Sequence, residues 1–327
     1  MYDTKYHSEP LDNKSFLITG GAGFIGSNIV AYLLKYNAKK VRVLDNFATG
    51  FHKNLEAFKD NPAFELMEGD IRNVETCKAA MQDIDFVSHQ AALGSVPRSI
   101  NDPATSNEVN VSGFLNMLIA QNESETVQRL VYAASSSTYG DSKNLPKVED
   151  TIGKPLSPYA VTKLVNELYA DVFYTTYGTA TIGLRYFNVF GPNQSPTGAY
   201  AAVIPLFMQA LKDQKPPTIN GDGEQTRDFT FVENAVQANI KALFAPKEAV
   251  NEVFNVAFGE RISLNTLWSD LQAISETKID AVYGPPRRGD VRDSLANIDK
   301  AKRLLGYDPR FSVRNGLKVT WEQFKDA

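Results

Sequence analysis

The glycine-rich segment over residues 19–26 constrains the fold of this chain more than any other feature. It reads Thr-Gly-Gly-Ala-Gly-Phe-Ile-Gly, follows an apolar run that predicts a buried strand at 15–19, and precedes apolar residues at helical spacing over 25–36. Gly20, Gly23 and Gly26 have the spacing of a dinucleotide-binding turn, in which the backbone approaches a pyrophosphate and helix and strand pack closely. The free N–H groups at the helix start favour the phosphates. The segment therefore predicts a Rossmann-type α/β fold.

Asp45 indicates which dinucleotide is bound. It ends the second predicted strand, which starts at residue 40, and it lies 19 residues after Gly26. A carboxylate at this place accepts hydrogen bonds from the adenosine ribose hydroxyls and repels a 2′-phosphate. We therefore expect NAD rather than NADP.

Apolar strands alternate with helices along the first half of the chain, which indicates a doubly wound parallel sheet covered on both faces. Further strands are predicted at 64–68, 85–89, 129–134 and 181–185, and helices at 74–81, 107–122 and 158–177. After residue 190 the alternation becomes less regular. We predict a polar extension over 1–14, an NAD-binding Rossmann domain over 15–190, and a smaller interleaved C-terminal substrate domain that takes up most of 191–327, with the chain crossing back between them.

Composition excludes several classes of function. A net charge of −4 gives no electrostatic argument for a nucleic-acid partner. A single cysteine, Cys77, excludes an intramolecular disulfide framework, and three histidines argue against a metal site. No apolar run approaches the ~20 residues of a membrane span, and residues 1–14 lack the apolar core of a signal peptide. We expect a cytoplasmic protein with no metal, nucleic-acid or membrane partner.

Four polar side chains form the predicted catalytic set. Tyr159 and Lys163 lie four residues apart at the start of the predicted helix 158–177, so they share one face. A nearby ammonium and an oxidised nicotinamide would lower the pKa of the phenol and make it a better base. Ser135 and Ser136 follow the fifth strand, at the sheet edge where ligands bind, and can reach a substrate oxygen.

These motifs, together with Arg-Tyr-Phe-Asn-Val-Phe-Gly-Pro over 185–192, resemble the extended short-chain dehydrogenase/reductase family. Within that family the chain resembles the nucleotide-sugar 4-epimerases, from Phe16 to the last helix. The resemblance implies tightly bound NAD and a UDP-sugar substrate. It also implies a homodimer in which helices 107–122 and 158–177 of two chains form a four-helix bundle.

The resemblance implies roles for individual residues at the cofactor. Asp70 and Ile71 would flank the adenine. Tyr186 would pack at the nicotinamide, and Asn110 would hold the backbone near the active site. The other expected cofactor contacts are Gly20, Gly23, Phe24, Ile25, Gly26, Asp45, Asn46, Phe47, Thr49, Gly50, Gln90, Ala91, Ala92, Val189, Tyr159 and Lys163.

Substrate contacts implied by the same resemblance involve the diphosphate and the uracil. Arginine suits a diphosphate because its planar fork matches phosphate oxygens. The expected residues are Arg227, Arg287 and, as a third candidate, Arg292 at the diphosphate, Asn188 as a donor to it, and Ala202 and Val203 beside the uracil.

Two positions bear on the sugar. Gly94 and Ser95 belong to a Gly-Ser-Val-Pro-Arg-Ser run that resembles 4-epimerases preferring N-acetylated sugars, whereas many galactose-type members carry lysine in place of Gly94. Ser294 stands where the family walls the sugar pocket, and a bulky residue there excludes an N-acetyl group. Dehydratases of the family carry an Asp–Glu pair after the fifth strand, where this chain has serines, so dehydration is disfavoured.

The sequence thus predicts a 4-epimerase that interconverts UDP-GlcNAc and UDP-GalNAc through a 4-keto intermediate, with UDP-Glc and UDP-Gal as further candidates. Two alternatives stay open. An epimerase or decarboxylase acting on UDP-glucuronate or its N-acetylated counterpart would be favoured by an added basic residue reaching carbon 6, which the sequence does not place. A non-catalytic NAD-binding sensor would be expected to lose Tyr159 or Lys163, and both are present.

Overall fold

A seven-stranded parallel sheet forms the centre of the computed structural model, which describes residues 1–196, 202–286 and 292–325. Its order is β11-β6-β5-β4-β1-β2-β3. The strands in chain order are β1 (Ser15–Thr19), β2 (Lys40–Asp45), β3 (Phe64–Glu68), β4 (Phe86–His89), β5 (Arg129–Ser135), β6 (Thr181–Tyr186), β7 (Val189–Phe190), β8 (Thr218–Asn220), β9 (Thr226–Arg227), β10 (Thr230–Phe231), β11 (Val253–Val256), β12 (Ile262–Ser263) and β13 (Val282–Gly284).

Helices cover both faces of this sheet. The helices in chain order are α1 (Phe24–Lys35), α2 (Val74–Ala80), α3 (Val96–Asn101), α4 (Pro103–Asn107), α5 (Gly113–Glu123), α6 (Pro158–Tyr177), α7 (Val203–Lys212), α8 (Val232–Leu243), α9 (Leu264–Ser275), α10 (Asp299–Leu305) and α11 (Val313–Lys325). Alternate residues of β1 point to opposite faces. Phe16 and Ile18 pack in the core that α1 and α8 cover, and Leu17 packs in the core of α2 and α5.

The sheet order reverses between β1 and β4, so a crevice opens at the carboxyl ends of these strands. This switch point gives the molecule its binding edge, because β1, β4, β5 and β6 all end there. The register pairs Thr19 with His89 and Ser135 with Tyr186. The predicted Rossmann-type fold is confirmed.

The chain crosses back into the sheet after residue 190. Strand β11 pairs with β6, and α8 packs against β4, β5 and β6. The rest of the C-terminal part has its own core around α7, α9 and α11, with Phe207, Trp268 and Trp321 among its buried side chains. Short strand pairs, β8 with β13 and β9 with β12, accompany these helices.

The predicted helix 107–122 differs from the structure. Helix α4 ends at Asn107, a π-helical turn spans Glu108–Ser112, and α5 begins at Gly113. The wider turn directs Asn110 towards the loop after β4, where its side chain accepts from Leu93 N at 2.7 Å and donates to Leu93 O at 3.1 Å. Turns of this kind are frequent at functional sites.

The first 14 residues pack on the sheet layer, although their composition is polar. Tyr2, Tyr6 and Leu11 are buried in the core under α1 and α8. The Tyr6 hydroxyl donates to Glu233 at 2.8 Å, and the Tyr6 amide donates to the Tyr32 hydroxyl at 2.6 Å. The described helices include none long and apolar enough to cross a membrane.

Candidate active site

A cleft of about 630 Å³ opens at the carboxyl edge of the sheet. A second cavity of about 230 Å³ adjoins it, and Ser135 and Asn188 line both. Most predicted cofactor residues meet in the first cleft, although they come from separate strands. The predicted site residues that line it are Gly20, Gly23, Phe24, Ile25, Gly26, Asp45, Asn46, Thr49, Gly50, Asp70, Ile71, Gln90, Ala91, Ala92, Gly94, Ser95, Ser135, Tyr159, Lys163, Tyr186, Asn188 and Val189.

The glycine turn can accept a pyrophosphate because side chains are absent where the backbone is crowded. Gly20 has φ +66°, and a Cβ there would lie 2.7 Å from the nitrogen of Ala91. A Cβ on Gly26 would lie 2.2 Å from the Gly20 oxygen. The N-cap of α1 is Gly23, and the first turn of this helix has neither a side-chain cap nor an acidic residue. Its N–H groups and positive dipole end therefore suit the phosphates of NAD.

Asp45 is held firmly at the end of β2. Its Oδ2 accepts from Ala22 N at 2.9 Å, and its Oδ1 accepts from Phe47 N at 2.8 Å. Burial raises the pKa of this carboxyl, and the backbone hydrogen bonds oppose that shift. Each carboxylate oxygen can accept a second hydrogen bond. The position fits the ribose hydroxyls of NAD.

Asp70 lines the same cleft as the glycine turn and is paired with Arg72, a residue that the sequence did not single out. Hydrogen bonds from Arg72 lower the pKa of Asp70 to about 2. Asn46 Nδ2 also donates to Asp70 Oδ2 at 2.9 Å. Arg72 lines the same cleft, so this edge carries a guanidinium as well as a carboxylate.

Several predicted contacts do not line either cavity. The Phe47 ring instead stacks on His52 at 3.7 Å between centroids, and Arg292 forms an ion pair with Asp222 at 3.0 Å. Asn110 does not line the cleft either, and its side chain hydrogen-bonds the backbone of Leu93, which does. Ala202 and Val203, at the start of α7, also lie outside the lining, and Arg287 lies outside the described residues.

The first turns of α6 bring the catalytic set together. Ser157 caps the helix by accepting from Ala160 N at 3.1 Å, and Ser99 Oγ accepts from Tyr159 N at 3.0 Å. Ser135 Oγ accepts from both the amide and the hydroxyl of Ser137, and it also hydrogen-bonds the Tyr159 phenol. Tyr159 and Ser135 are therefore in direct contact, at the end of β5.

Burial governs the electrostatics of this set. It raises the pKa of Tyr159, which the hydrogen bond with Ser135 opposes. It lowers the pKa of Lys163 to about 8, which the nearby Glu167 carboxylate opposes. Lys163 Nζ donates to the Ala133 carbonyl at 2.7 Å. In the protein without cofactor, the pKa of the Tyr159 phenol is thus above its ordinary value. The lowering of this pKa that the sequence predicted also required the positive charge of an oxidised nicotinamide.

A polar network that sequence reasoning missed supports Tyr186. Its hydroxyl donates to Gln90 Oε1 at 3.1 Å and accepts from Asn239 Nδ2 at 2.7 Å. Asn239 is fully buried on α8 and also contacts Ser88. Helix α8 carries several buried polar side chains, so an amide among them gave no distinct signal of this role in the sequence.

The second cavity contains the predicted substrate residues Ser136, Arg227 and Ser294. Arg227 donates to the carbonyls of Thr226 and Arg292, both at 2.9 Å, which positions its guanidinium at the cavity wall. Asn188 uses one N–H on the Asp228 carbonyl at 3.0 Å. Lys147, which the sequence analysis did not select, lines the same cavity.

The sheet topology and the position of Tyr159 and Lys163 at its carboxyl edge define the class of protein, the extended short-chain dehydrogenases/reductases. Comparison with known proteins gives the family. Residues 16–257 match the NAD dependent epimerase/dehydratase family, and the chain belongs to it. The protein is accordingly an enzyme that uses NAD.

Relatives of this chain carry several substrate names. A putative UDP-glucose 4-epimerase of Methanocaldococcus jannaschii is 36% identical over 93% of this chain and 97% of its own length. The structure of a UDP-N-acetylglucosamine 4-epimerase from Methanobrevibacter ruminantium, in complex with UDP-N-acetylmuramic acid, has a TM-score of 0.91 at 36% identity, covering 96% of this chain and 99% of that one. A UDP-glucuronic acid 4-epimerase from Bacillus cereus, in complex with UDP-glucuronic acid and NAD, has a TM-score of 0.88 at 32% identity, covering 95% and 99%.

Proposed function

We propose that this NAD-dependent epimerase interconverts UDP-GlcNAc and UDP-GalNAc and also accepts UDP-Glc and UDP-Gal. Relatives with different printed substrates have similar identities, so similarity does not choose among the sugars. The observation that supports N-acetylated sugars is that small side chains make up much of the lining of the second cavity. Its lining includes Ser135, Ser136, Ser137, Gly140, Ser157, Ala160 and Ser294. Such a wall leaves space for an acetamido group.

The loop after β4 supports the same choice. A Cβ placed on Gly94 would meet no atom within 4 Å, so this position borders open space in the cleft. Ser95 caps the following helix α3 by accepting from Arg98 N at 3.3 Å. The loop is therefore held by its own cap, and Gly94 and Ser95 place no bulky side chain in the cleft.

Residues at the end of β5 and at the start of α6 supply the proton chemistry of this reaction. The residues that line the first cleft would hold NAD, which would supply a hydride acceptor and donor for carbon 4 of the sugar. Tyr159 accepts the proton of the 4-hydroxyl and later gives it back, while Ser135 holds the same oxygen by a hydrogen bond. The Lys163 ammonium favours the ionised phenol, because a positive charge nearby stabilises an anion.

The surface of helix α6 and the single cysteine bear on the assembly and the location of the enzyme. Helix α6 leaves Val161, Leu168 and Val172 exposed, and Leu168 has 58% of its surface accessible. An apolar stripe of this kind supports a homodimer in which helices from two chains pair as a four-helix bundle. We place the enzyme in the cytoplasm, where its single buried thiol, Cys77, stays reduced.

A substrate panel tests the function directly. One sample of the purified protein is denatured to release its nucleotide, which is expected to be NAD. With a second, native sample, turnover is measured on UDP-GlcNAc, UDP-Glc and UDP-GlcA by separating the 4-epimers. We expect the highest kcat/KM with UDP-GlcNAc. Turnover of UDP-Glc without turnover of UDP-GlcNAc would reject the N-acetyl assignment.

A further inference from the structure

The N-terminal segment over residues 1–14 is anchored to helices α1 and α8, and the family match begins after it and so assigns it no role. The ring of Tyr2 is buried and packs edge-on against Tyr32 of α1, with 5.9 Å between centroids. Tyr6 stacks on the same ring at 5.3 Å. The Tyr2 amide donates to the Glu233 carboxylate of α8 at 3.0 Å. The segment therefore has a fixed place beside both helices.

The Tyr2 hydroxyl reaches Asn28, a buried side chain of α1, and donates to its Oδ1 at 2.6 Å. Burial raises the pKa of Tyr2 well above its ordinary value, so the hydroxyl keeps its proton and remains a donor. Asn28 Nδ2 in turn donates to the carbonyls of Phe24 at 2.8 Å and of Pro192 at 3.1 Å. Because carbonyls only accept hydrogen bonds, the amide nitrogen must face them and the amide oxygen must face Tyr2.

Pro192 belongs to the turn that follows β7, and this turn borders the NAD cleft. Asn193 lines the cleft, as does Phe24 at the start of α1. A second hydrogen bond joins the same two elements, because Asn193 Nδ2 donates to Ser27 Oγ at 3.0 Å. Asn28 and Asn193 therefore hold the turn on the start of α1, next to the glycine turn that suits the phosphates of NAD.

We propose that Tyr2 is a positioning residue for NAD, which fixes the amide of Asn28 and thereby holds the turn at Pro192 on α1, so that the cleft retains its cofactor. Without the hydroxyl, Asn28 Oδ1 would be buried and unpaired, which favours rotation of the amide away from the Pro192 carbonyl. The turn would then separate more readily from α1 at the edge of the cleft, and bound NAD would leave faster. This inference rests on the NAD cleft and does not depend on which sugar the enzyme takes.

Tyr2→Phe tests this role, because it keeps the buried ring and removes only the hydroxyl. Tyr6→Phe is the matched control, since it removes a buried hydroxyl of the same segment whose acceptor is Glu233. Each full chain is loaded with NAD and then chased with an excess of isotopically labelled NAD, and the bound label is followed over time by mass spectrometry. Urea unfolding of the same preparations reports the stability of the fold separately.

We expect Tyr2→Phe to release NAD about 3- to 30-fold faster than the wild type, the scale of one buried hydrogen bond. Tyr6→Phe should release NAD at close to the wild-type rate, although both variants should unfold at a lower urea concentration. Asn28→Ala should also release NAD faster. Adding Tyr2→Phe to Asn28→Ala should bring no further acceleration, because both residues act through one amide.

An unchanged NAD release rate in Tyr2→Phe would overturn the inference. Equal acceleration in Tyr2→Phe and Tyr6→Phe would overturn it too, because both tyrosines would then be structural residues only. A fully additive effect of the Tyr2 and Asn28 changes would reject the route through Asn28.

A second variant keeps the test decisive if Tyr2→Phe does not fold. Asn28→Asp keeps an acceptor for Tyr2 and removes the donors to Pro192, so it should also release NAD faster. An unchanged release rate in this variant would overturn the inference. None of these measurements uses a UDP-sugar, so their failure would leave the proposed substrate standing.

Discussion

Tyr159 is the single residue on which the proposed proton transfer depends. It is half-buried, it hydrogen-bonds Ser135, and it lies in the first turn of the helix that also carries Lys163. Tyr159→Phe removes only the hydroxyl, so the NAD cleft should stay intact. We expect turnover to fall by about 10²–10⁴-fold, the usual contribution of acid–base catalysis, with NAD still bound. Turnover and nucleotide content of the same preparation are the measurements.

Lys154→Met is a suitable control for that experiment, because Lys154 is exposed and lines neither cavity. It should turn over substrate at the wild-type rate. A Tyr159→Phe enzyme with near wild-type turnover would show that another group accepts the proton.

Ser294 is the residue that should set sugar size. It lines the smaller cavity, and a close-packed wall does not absorb extra volume without strain. Ser294→Tyr should therefore lower kcat/KM for UDP-GlcNAc relative to UDP-Glc. The corresponding difference in activation free energy should be about 1–3 kcal/mol, the usual scale of overpacking. Retained NAD and retained UDP-Glc turnover are the internal controls. An equal loss on both sugars would remove Ser294 from this role.

At the scale of elements, α6 carries three functional side chains on successive turns. Tyr159 and Lys163 face the cleft, and Glu167 follows one turn later, where it forms a bidentate ion pair with Arg185 of β6 at 2.9 and 2.7 Å. The side chains of Glu167 and Arg185 are only 8% and 5% exposed. The helix thus links Lys163 to a buried charge pair one turn further along.

Glu167→Gln should destabilise the protein and alter Lys163. It leaves the Arg185 charge buried without its partner, which costs about 3–5 kcal/mol. It also removes the carboxylate that raises the pKa of Lys163, so the lysine should lose its proton at a lower pH. Urea unfolding and the pH profile of kcat are the measurements. Glu75→Gln, at an exposed ion pair with Lys78, is the control and should change neither. An unshifted kcat profile would show that Glu167 does not act on Lys163.

Elements with strong local patterns could be predicted from the sequence, whereas those fixed by distant contacts could not. The glycine turn, Asp45 and the Tyr159 helix start are encoded within a few residues. Strand β11 escaped prediction because it has four residues, one of them Asn255, whose side-chain amide hydrogen-bonds Tyr139, Lys147 and Asn297 from other parts of the chain. Lys147 escaped because a loop lysine predicts exposure, and its burial depends on the bridge to Ala296.

At the scale of the whole molecule, the exposed apolar stripe of α6 predicts the assembly. We expect light scattering at micromolar concentration to give the mass of two chains. Leu168→Glu places a charge within the stripe and should give a single chain, since a buried unpaired carboxylate is costly. Leu206→Glu alters a comparably exposed leucine on α7 and should leave the dimer intact. A wild-type monomer would contradict the four-helix bundle.

Two buried histidines should make the whole fold sensitive to acid. Burial lowers the pKa of His89 to about 3 and that of His7 to about 4, whereas an unfolded histidine has a pKa of about 6.5. Below pH 6.5 the unfolded chain therefore binds protons that the folded chain does not, so the free energy of unfolding should fall as the pH drops.

Comparing each variant with the wild type isolates the histidine contribution, because the acidic groups are common to both. His89→Asn should flatten the acid limb between pH 6.5 and 4, as followed by urea unfolding at several pH values. His52→Asn, at an exposed histidine, is the matched control. Parallel pH curves for His89→Asn and the wild type would mean that His89 is not held neutral in the folded protein.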